Sequence, residues 1–367
     1  MARPLANVEE TREDTKGYSV SLLEEEDIER AIDVWLVSFG FTDRERWRSF
    51  ALDVSDVVVA GSVDGVPHSL ATVIMFDMHL GDRWVKAGGI AGVACDPPYR
   101  RHGLVRMVLA ECIRQMHDKG VALSGLWPFS YPFYARMGWA PTDMQHIVTH
   151  DLASIRTPGD SRAYKQVKLS DVDSLVPIHE KWISQFNLSM RRTEERWKRQ
   201  LSRPDRTPIV FRHDDGYMIW NIKDPKERTL DVIEWAYTTN EAFLDGLALL
   251  KNAGDLHYSK ASWNCPDLEP IMKLGVAYPL PSIQTRPGMM TRIVHLDAFL
   301  QALPRKVAKP EINDPLGITG RSKSNIAVGP GELLQIVTGF QKQPPAEHLK
   351  DFHLLAADLP SYSVEQY

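Results

Sequence analysis

GGIAGVACDPPYRRHGLVRMVLAECIRQMHDKG, residues 88–120, decides how the chain is read, together with VALSGLW (121–127) and PFSYPFYARMGW (128–139) that follow. Its first seven residues are apolar and small enough for a buried strand, and CDPPYRRHG breaks that strand with a turn. From Val105 the apolar residues Val108, Leu109, Cys112, Ile113 and Met116 share one helical face, and Gly120 ends the helix as a C-terminal cap. Between strand and helix stands Arg100-Arg101-His102-Gly103-Leu104-Val105, an R-x-x-G turn. Residues 101 to 106 present backbone N–H groups at the positive end of a helix dipole, where a pyrophosphate binds, and Gly103 lets the backbone approach it closely. Taken alone, an R-x-x-G is equally a basic turn capping a helix. The strand before it, the amphipathic helix after it, and the second strand and aromatic-glycine segment downstream favour the phosphate reading. A dinucleotide fingerprint in AGGIAG (residues 87–92) is weaker, because no helix follows those glycines directly.

Length and composition bound what can be built around this segment. With 367 residues, two or three domains are expected, and 43% hydrophobic with 25% charged residues is ordinary for a globular chain. A net charge of −5 argues against a general nucleic-acid binder and tilts towards a cationic partner. Cys95, Cys112 and Cys265 are odd in number and far apart, so no disulfide framework or C-x-x-C metal site is expected; this suits a reducing cytoplasm. The histidines lack H-x-x-x-H spacing, so no metal is expected. Ser124 and Ser130 lack a G-x-S-x-G elbow, which disfavours serine hydrolysis. No apolar run reaches the roughly 18 residues of a spanning helix, so no membrane role is expected. MARPLANVEETREDTKG reads as a loose polar tail rather than a signal peptide.

The periodicities divide the remainder. Strands are expected at 18–22, 56–61 and 66–78, the last two joined by the Asp64-Gly65 turn, with a helix at 25–39 and a shorter one around Trp47 and Phe50. The same order recurs from Tyr164: a strand, helices at 171–182 and 194–201, strands at 209–212 and 217–222 about Asp215-Gly216, a strand at 230–236, a helix at 241–252 and a strand at 256–263. Where the first half carries RRHG the second has TTNEAF (238–243), so the repeat lacks the phosphate loop. Short strands are expected at 313–320 and 325–328, and a helix at 333–340, in a last region whose thin core leans on the other two. The fold class is mixed α/β (α+β), with a flexible tail at 1–16 and domains at 17–155, 156–290 and 291–367.

Several residues carry the chemistry. The backbone of Val93, Ala94 and Cys95 can pair with the amides of an extended ligand arm where strands splay, although their side chains read as core. Tyr134, in FYARMGW, has a phenol of pKa near 10, a sensible proton donor to a departing thiol; a packed aromatic is the plainer alternative. Asp43 can hold a cationic amine or cap a helix. Trp35, Phe39, Phe41, Trp47 and Trp84 can line an apolar pocket or fill the core. A terminal carboxylate on Tyr367 can accept a proton if folded into a cavity, whereas most chain ends fray.

GVACDPPYRRHGLVRMVLAE and PFSYPFYARMGW resemble the GNAT N-acetyltransferases, and more narrowly the enhanced-intracellular-survival (Eis) acetyltransferases. SFGFTD, HDDGYMIW and MTRIVHLDAFL support the likeness. It implies an active GNAT domain, a second GNAT-like domain without coenzyme and a sterol-carrier-protein-like C-terminal domain, here about 30 residues short. It further implies acetyl-CoA as cosubstrate, held by Val93, Ala94 and Cys95 at the pantetheine arm. Arg101, His102, Gly103, Leu104, Val105 and Arg106 would hold the pyrophosphate, with Phe129 and Ser130 beside the thioester. Tyr134 matches the acid, the Tyr367 carboxylate the group that takes the amine proton, and Asp43 an acidic residue of the substrate pocket. The acceptor implied is a small-molecule or peptide amine, aminoglycoside-, polyamine- or lysine-like, and the assembly a homohexamer. A dedicated N-acyltransferase with one narrow substrate and a non-catalytic coenzyme A or lipid-binding regulator are the alternatives.

Overall fold

The computed structural model describes residues 17–203, 207–222, 228–254, 257–275, 278–340, 346–353, 355–356 and 359–363. The first unit opens with β1 (Tyr18–Leu22), α1 (Ile28–Phe39) and α2 (Arg44–Ser49), then β2 (Val57–Val63), β3 (Val66–Leu80) and β4 (Arg83–Cys95). It continues through α3 (Leu104–Asp118), β5 (Leu123–Leu126), α4 (Tyr131–Ala135) and β6 (Ala140–Pro141). Its local logic follows the pattern in the chain. Asp64 and Gly65 take positive φ and close the β2–β3 hairpin, and Gly120, at φ +68°, ends α3. One face of α3 buries Leu104, Val108, Leu109, Cys112, Ile113 and Met116 against Val57, Val59, Val73 and Ile90 of the sheet. Val105, expected among the inward residues, is only partly buried.

The second unit runs β7 (Met144–Asp151), β8 (Lys165–Val167), α5 (Val176–Ile183), α6 (Glu194–Leu201), β9 (Pro208–His213) and β10 (Gly216–Asn221). Then come β11 (Thr229–Tyr237), α7 (Asn240–Ala253), β12 (Lys260–Cys265), α8 (Glu269–Leu274) and β13 (Ser282–Pro287). After β14 (Met290–Ile293), among the described residues, the helices α9 (Leu296–Ala302) and α10 (Pro330–Thr338) and a 3-10 turn follow.

Two seven-stranded sheets result, ordered β1-β2-β3-β4-β5-β14-β6 and β13-β7-β12-β11-β10-β9-β8. Both boundaries drawn from the sequence are therefore crossed. β7, assigned to the first domain by the 155/156 cut, pairs with β12 and β13 of the second sheet. β14 returns to the first sheet and pairs with β5 and β6. Each strand is apolar enough to fill either sheet, and only partner registration decides between them.

The last region also departs from expectation. Residues 313–320 and 325–328 form no strand, only isolated bridges at Ile312–Val328 and Asn313–Arg321. Among the described residues the region builds no sheet of its own, so the sterol-carrier-like α/β domain is not found. Instead Leu296, Phe299, Leu333, Leu334, Val337 and Phe352 pack with Met78, Leu80, Ala87 and Leu123 in one shared core. A segment this short cannot bury an independent core, and joining an existing one removes the same apolar area from water.

Asn187 ties the chain end into this core. Its side chain donates to the carbonyls of Ala356 and Leu359 and accepts from the Gly81 amide, and its backbone pairs with Pro360 and Tyr362. Further on, Ser363 donates its amide to Asp143 Oδ2 at 3.0 Å, while Asp143 Oδ1 is buried without a partner. Burial pushes the Asp143 carboxyl up to about 7, opposed only by backbone donors including Ser363. The folded protein thus keeps a proton that the unfolded chain releases above the ordinary carboxyl range. The stability this contributes is complete below about pH 4 and is lost as pH rises through about 7. Asp143→Asn should therefore gain in Tm relative to the parent between about pH 5 and about pH 8. A difference that stays constant over that interval contradicts the assignment.

Candidate functional site

β4 and β5 run parallel and register from Ala87–Leu123 to Gly89–Gly125, then part. Past that point β4 bulges against β3, skipping Ala71, where Gly92 takes φ +58°. The bulge is anchored by Trp35 Nε1, which donates to the Gly92 carbonyl at 2.7 Å. Trp35 stacks on Trp47 with ring centroids 5.3 Å apart, so both are core residues and not pocket walls. The parted strands open a cleft of about 490 Å³ lined by Ser38, Phe39, Val93, Ala94, Cys95, Arg100, Arg101, Gly103, Val105, Arg106, Phe129 and Phe133.

One end of the cleft is the loop before α3. Asp96 anchors it: its amide donates to the His68 carbonyl at 2.8 Å, and its carboxylate meets Arg30 and His68 Nδ1. His68 stacks on Tyr99 at 3.8 Å. Arg100 Nε then donates to the Cys95 carbonyl at 2.9 Å, folding the loop back onto the strand. Arg101 and Gly103 both have left-handed φ, +69° and +84°, as in the concave runs of amides that bind anions. With the N-terminus of α3 and the guanidinium groups of Arg101 and Arg106 at the same lining, this end fits a diphosphate. The equivalent connection in the second unit, between β11 and α7, is capped by Thr239 Oγ1 on the Ala242 amide, and carries no positive φ.

Tyr134 sits in α4 behind two lining residues, Phe129 and Phe133, edge-on to them at 5.3 and 5.0 Å, and to Trp139 at 6.1 Å. It is 2% exposed, whereas Phe129 is 71% exposed. Burial pushes the phenol upward, which keeps it protonated and able to donate. Tyr131, one turn earlier, instead donates its hydroxyl to the Gly288 carbonyl at 3.1 Å.

The structure brings Val93, Ala94, Cys95, Arg101, Gly103, Val105, Arg106 and Phe129 to one cleft. It does not bring all expected residues there. Tyr134 and Ser130 lie outside the lining, as do the side chains of His102 and Leu104, the latter buried within α3's inner face, which leaves their backbone amides at the helix start. Asp43 is an exposed cap whose Oδ1 accepts the Arg46 amide of α2 at 3.0 Å. Tyr367 lies outside the described residues. Burial pushes the Cys95 thiol up, so it is a strand residue and not a thiolate. Sequence reasoning missed Ser38 and Phe133: the first comes from a distant helix end, and the second was visible only as a neighbour of Tyr134.

Residues 19–142 match the family described as "Acetyltransferase (GNAT) domain", and residues 188–293 match a second family of the same description. The chain is 24% identical over 230 residues to proteins named N-acetyltransferase Eis from Mycobacterium bovis and Mycobacterium tuberculosis, covering 56% of this chain and 57% of theirs. It thus spans little more than half the length of these relatives. An uncharacterized N-acetyltransferase of Streptomyces griseus is 27% identical over 128 residues, 33% of this chain and 31% of that one. Among solved structures, a GCN5-related N-acetyltransferase from Anabaena variabilis shares the fold with TM-score 0.79 at 16% identity, covering 95% of this chain and 100% of that chain. Eis1 from Mycobacterium abscessus does so with TM-score 0.74 at 15% identity and the same coverage. No helix among the described residues is long and apolar enough to cross a membrane.

Proposed function

The chain belongs to the GNAT acetyltransferases related to Eis, and from that premise we propose that it transfers an acetyl group from acetyl-CoA to a primary amine of a small cationic acceptor. The observation that carries this reading is the cleft between the parted strands, lined by the left-handed Arg101–Gly103 loop and by Phe129 and Phe133, which pack on Tyr134. The thioester supplies the activated acetyl group. Backbone amides of residues 101–106, with Arg101 and Arg106, hold the diphosphate, and strand backbone at Val93–Cys95 takes the pantetheine arm. The Val93 N–H, beside the Gly92 bulge, polarises the carbonyl that the neutral amine attacks. Tyr134 gives its proton to the leaving sulfur. The amine proton passes to a general base or to solvent. Asp43, the exposed cap of α2, is proposed to attract the cationic acceptor by its negative charge.

A narrower reading has one observation in its favour. Phe39, Phe129 and Phe133 wall the cleft and among the described residues no carboxylate lines it, which suits a dedicated enzyme with one acceptor better than a broad polyamine or aminoglycoside acetylator. Free thiol release from acetyl-CoA, measured with an aminoglycoside, a polyamine, free amino acids and a lysine peptide, separates the readings. Turnover on several amines supports the broad reading, and turnover on one class the narrow one. Coenzyme A binding with no turnover on any would replace both by a regulatory protein.

A further inference from the structure

Arg292 stands in β14, the strand that returns from the second unit to the first sheet, and its side chain is fully buried. Its Nη2 pairs with the equally buried Asp314 Oδ2 at 2.7 Å and donates to Thr319 Oγ1 at 3.1 Å. Its Nη1 donates to the Met137 carbonyl at 2.5 Å, and the guanidinium lies 5.1 Å from the centre of the Trp139 ring. Met137 and Trp139 both donate their amides to the Tyr134 carbonyl, at 2.9 and 3.3 Å. The arginine therefore grips the turn that ends α4. Gly138, in the middle of that turn, has φ +90°, and a Cβ there would lie 3.1 Å from Arg292 Nη1.

Asp314 extends the grip to the first turn of α3. Its carboxylate accepts the amides of Leu316, Ile318 and Thr319 at 2.9, 3.0 and 3.0 Å, which winds residues 314–319 into a closed loop. The Pro315 carbonyl of that loop accepts from Arg106 Nη2, in the first turn of α3. One buried ion pair thus holds the turn that ends α4 directly and, through the Pro315 carbonyl of its loop, the first turn of α3.

A buried pair of this kind is not needed to keep a core stable, since apolar groups of similar volume often serve as well or better. What a fully satisfied network adds is a single geometry, and the planar guanidinium fork fixes direction as well as distance. We propose that Arg292, oriented by Asp314, is a positioning residue for acetyl transfer: it aims Tyr134 and locks the start of α3 in register with it. The proposal rests on Tyr134 being the acid. Displacement of a reacting group by about 1 Å costs on the order of 10²-fold in rate, so loosening the turn has a large effect without removing any reacting atom.

The test replaces the pair with apolar groups, Arg292→Met together with Asp314→Leu, alone and combined with Tyr134→Phe, using the amine of the panel that turns over fastest. The double variant leaves the Leu316, Ile318 and Thr319 amides and the Met137 carbonyl without their partners, so it is expected to unfold below the parent, to lose at least about tenfold in kcat and to raise KM for acetyl-CoA several-fold. In the Tyr134→Phe background the same replacement should change kcat by less than about twofold, because there is no phenol left to aim. An undiminished kcat in the double variant overturns the proposal while leaving the acid in place. A full further loss in the Tyr134→Phe background also overturns it, since a merely structural role predicts additivity. Parent-like turnover in Tyr134→Phe alone removes the acid and the proposal with it. Should the double variant fail to fold, Arg292→Lys keeps a charge for Asp314 but lacks the fork that reaches Met137; parent-like kcat in that variant counts against the proposal.

Discussion

Replacing Tyr134 by phenylalanine is expected to lower turnover by about 10²-fold, within the 10²–10⁴ range of general acid steps, while coenzyme A affinity stays within about twofold. The separation follows from where the residue sits. Its ring is held edge-on by Phe129, Phe133 and Trp139, contacts that phenylalanine keeps. No hydrogen bond to its hydroxyl occurs among the described residues. Removing the oxygen orphans no partner, so Tm should hold or rise. Because burial raises the phenol above its ordinary pKa near 10, its ionisation cannot cause a loss of activity at lower pH. Stopped-flow or steady-state thiol release on the variant, with coenzyme A binding by calorimetry, checks both halves. Turnover within about twofold of the parent would mean the sulfur takes its proton elsewhere.

Gly103→Val should act on the other substrate term. Gly103 has φ +84° with no atom within 4 Å of an added Cβ, so the penalty is conformational and not a collision. A β-branched residue held there costs about 1–3 kcal/mol, or relaxes by turning the loop amides away from the diphosphate. At 1.4 kcal/mol per decade, KM for acetyl-CoA should rise roughly 5- to 150-fold with little change in kcat. Gly103→Asn should fall between, because asparagine tolerates the left-handed region. Gly120, at φ +68° and equally open, supplies the control at the far end of α3. Gly120→Val should cost comparable stability without moving KM. If both variants raise KM alike, the loop is not the diphosphate site.

The reach of the sequence differs from element to element. α3 and the turn before it were legible because their determinants are local: a 3.6-residue apolar period, Gly103 where the backbone turns left-handed, and Gly120 where the helix stops. The β2–β3 hairpin was legible for the same reason, at Asp64-Gly65. Tyr134 and Phe129 were legible only together with their surroundings, since an isolated aromatic says nothing about a cleft. His102 and Leu104 were included by adjacency to the loop, but the first turn of a helix points successive side chains in different directions, and Leu104 went inward.

Nothing in the chain itself told β7 and β14 which sheet to enter. MQHIVTHD and MTRI are plausible strands in either, and their partners lie far away in sequence. The same holds for residues 313–320, whose composition suits a strand but whose backbone instead closes around the Asp314 carboxylate, because Arg292 would otherwise be a buried charge without a counter-ion. What the sequence determined by itself was each local conformation whose free energy is set within a few residues. What only the tertiary structure decided was strand exchange, the opening between β4 and β5, and the buried pair that joins the α4 turn to the start of α3, because each depends on which distant groups satisfy one another's hydrogen bonds and charge.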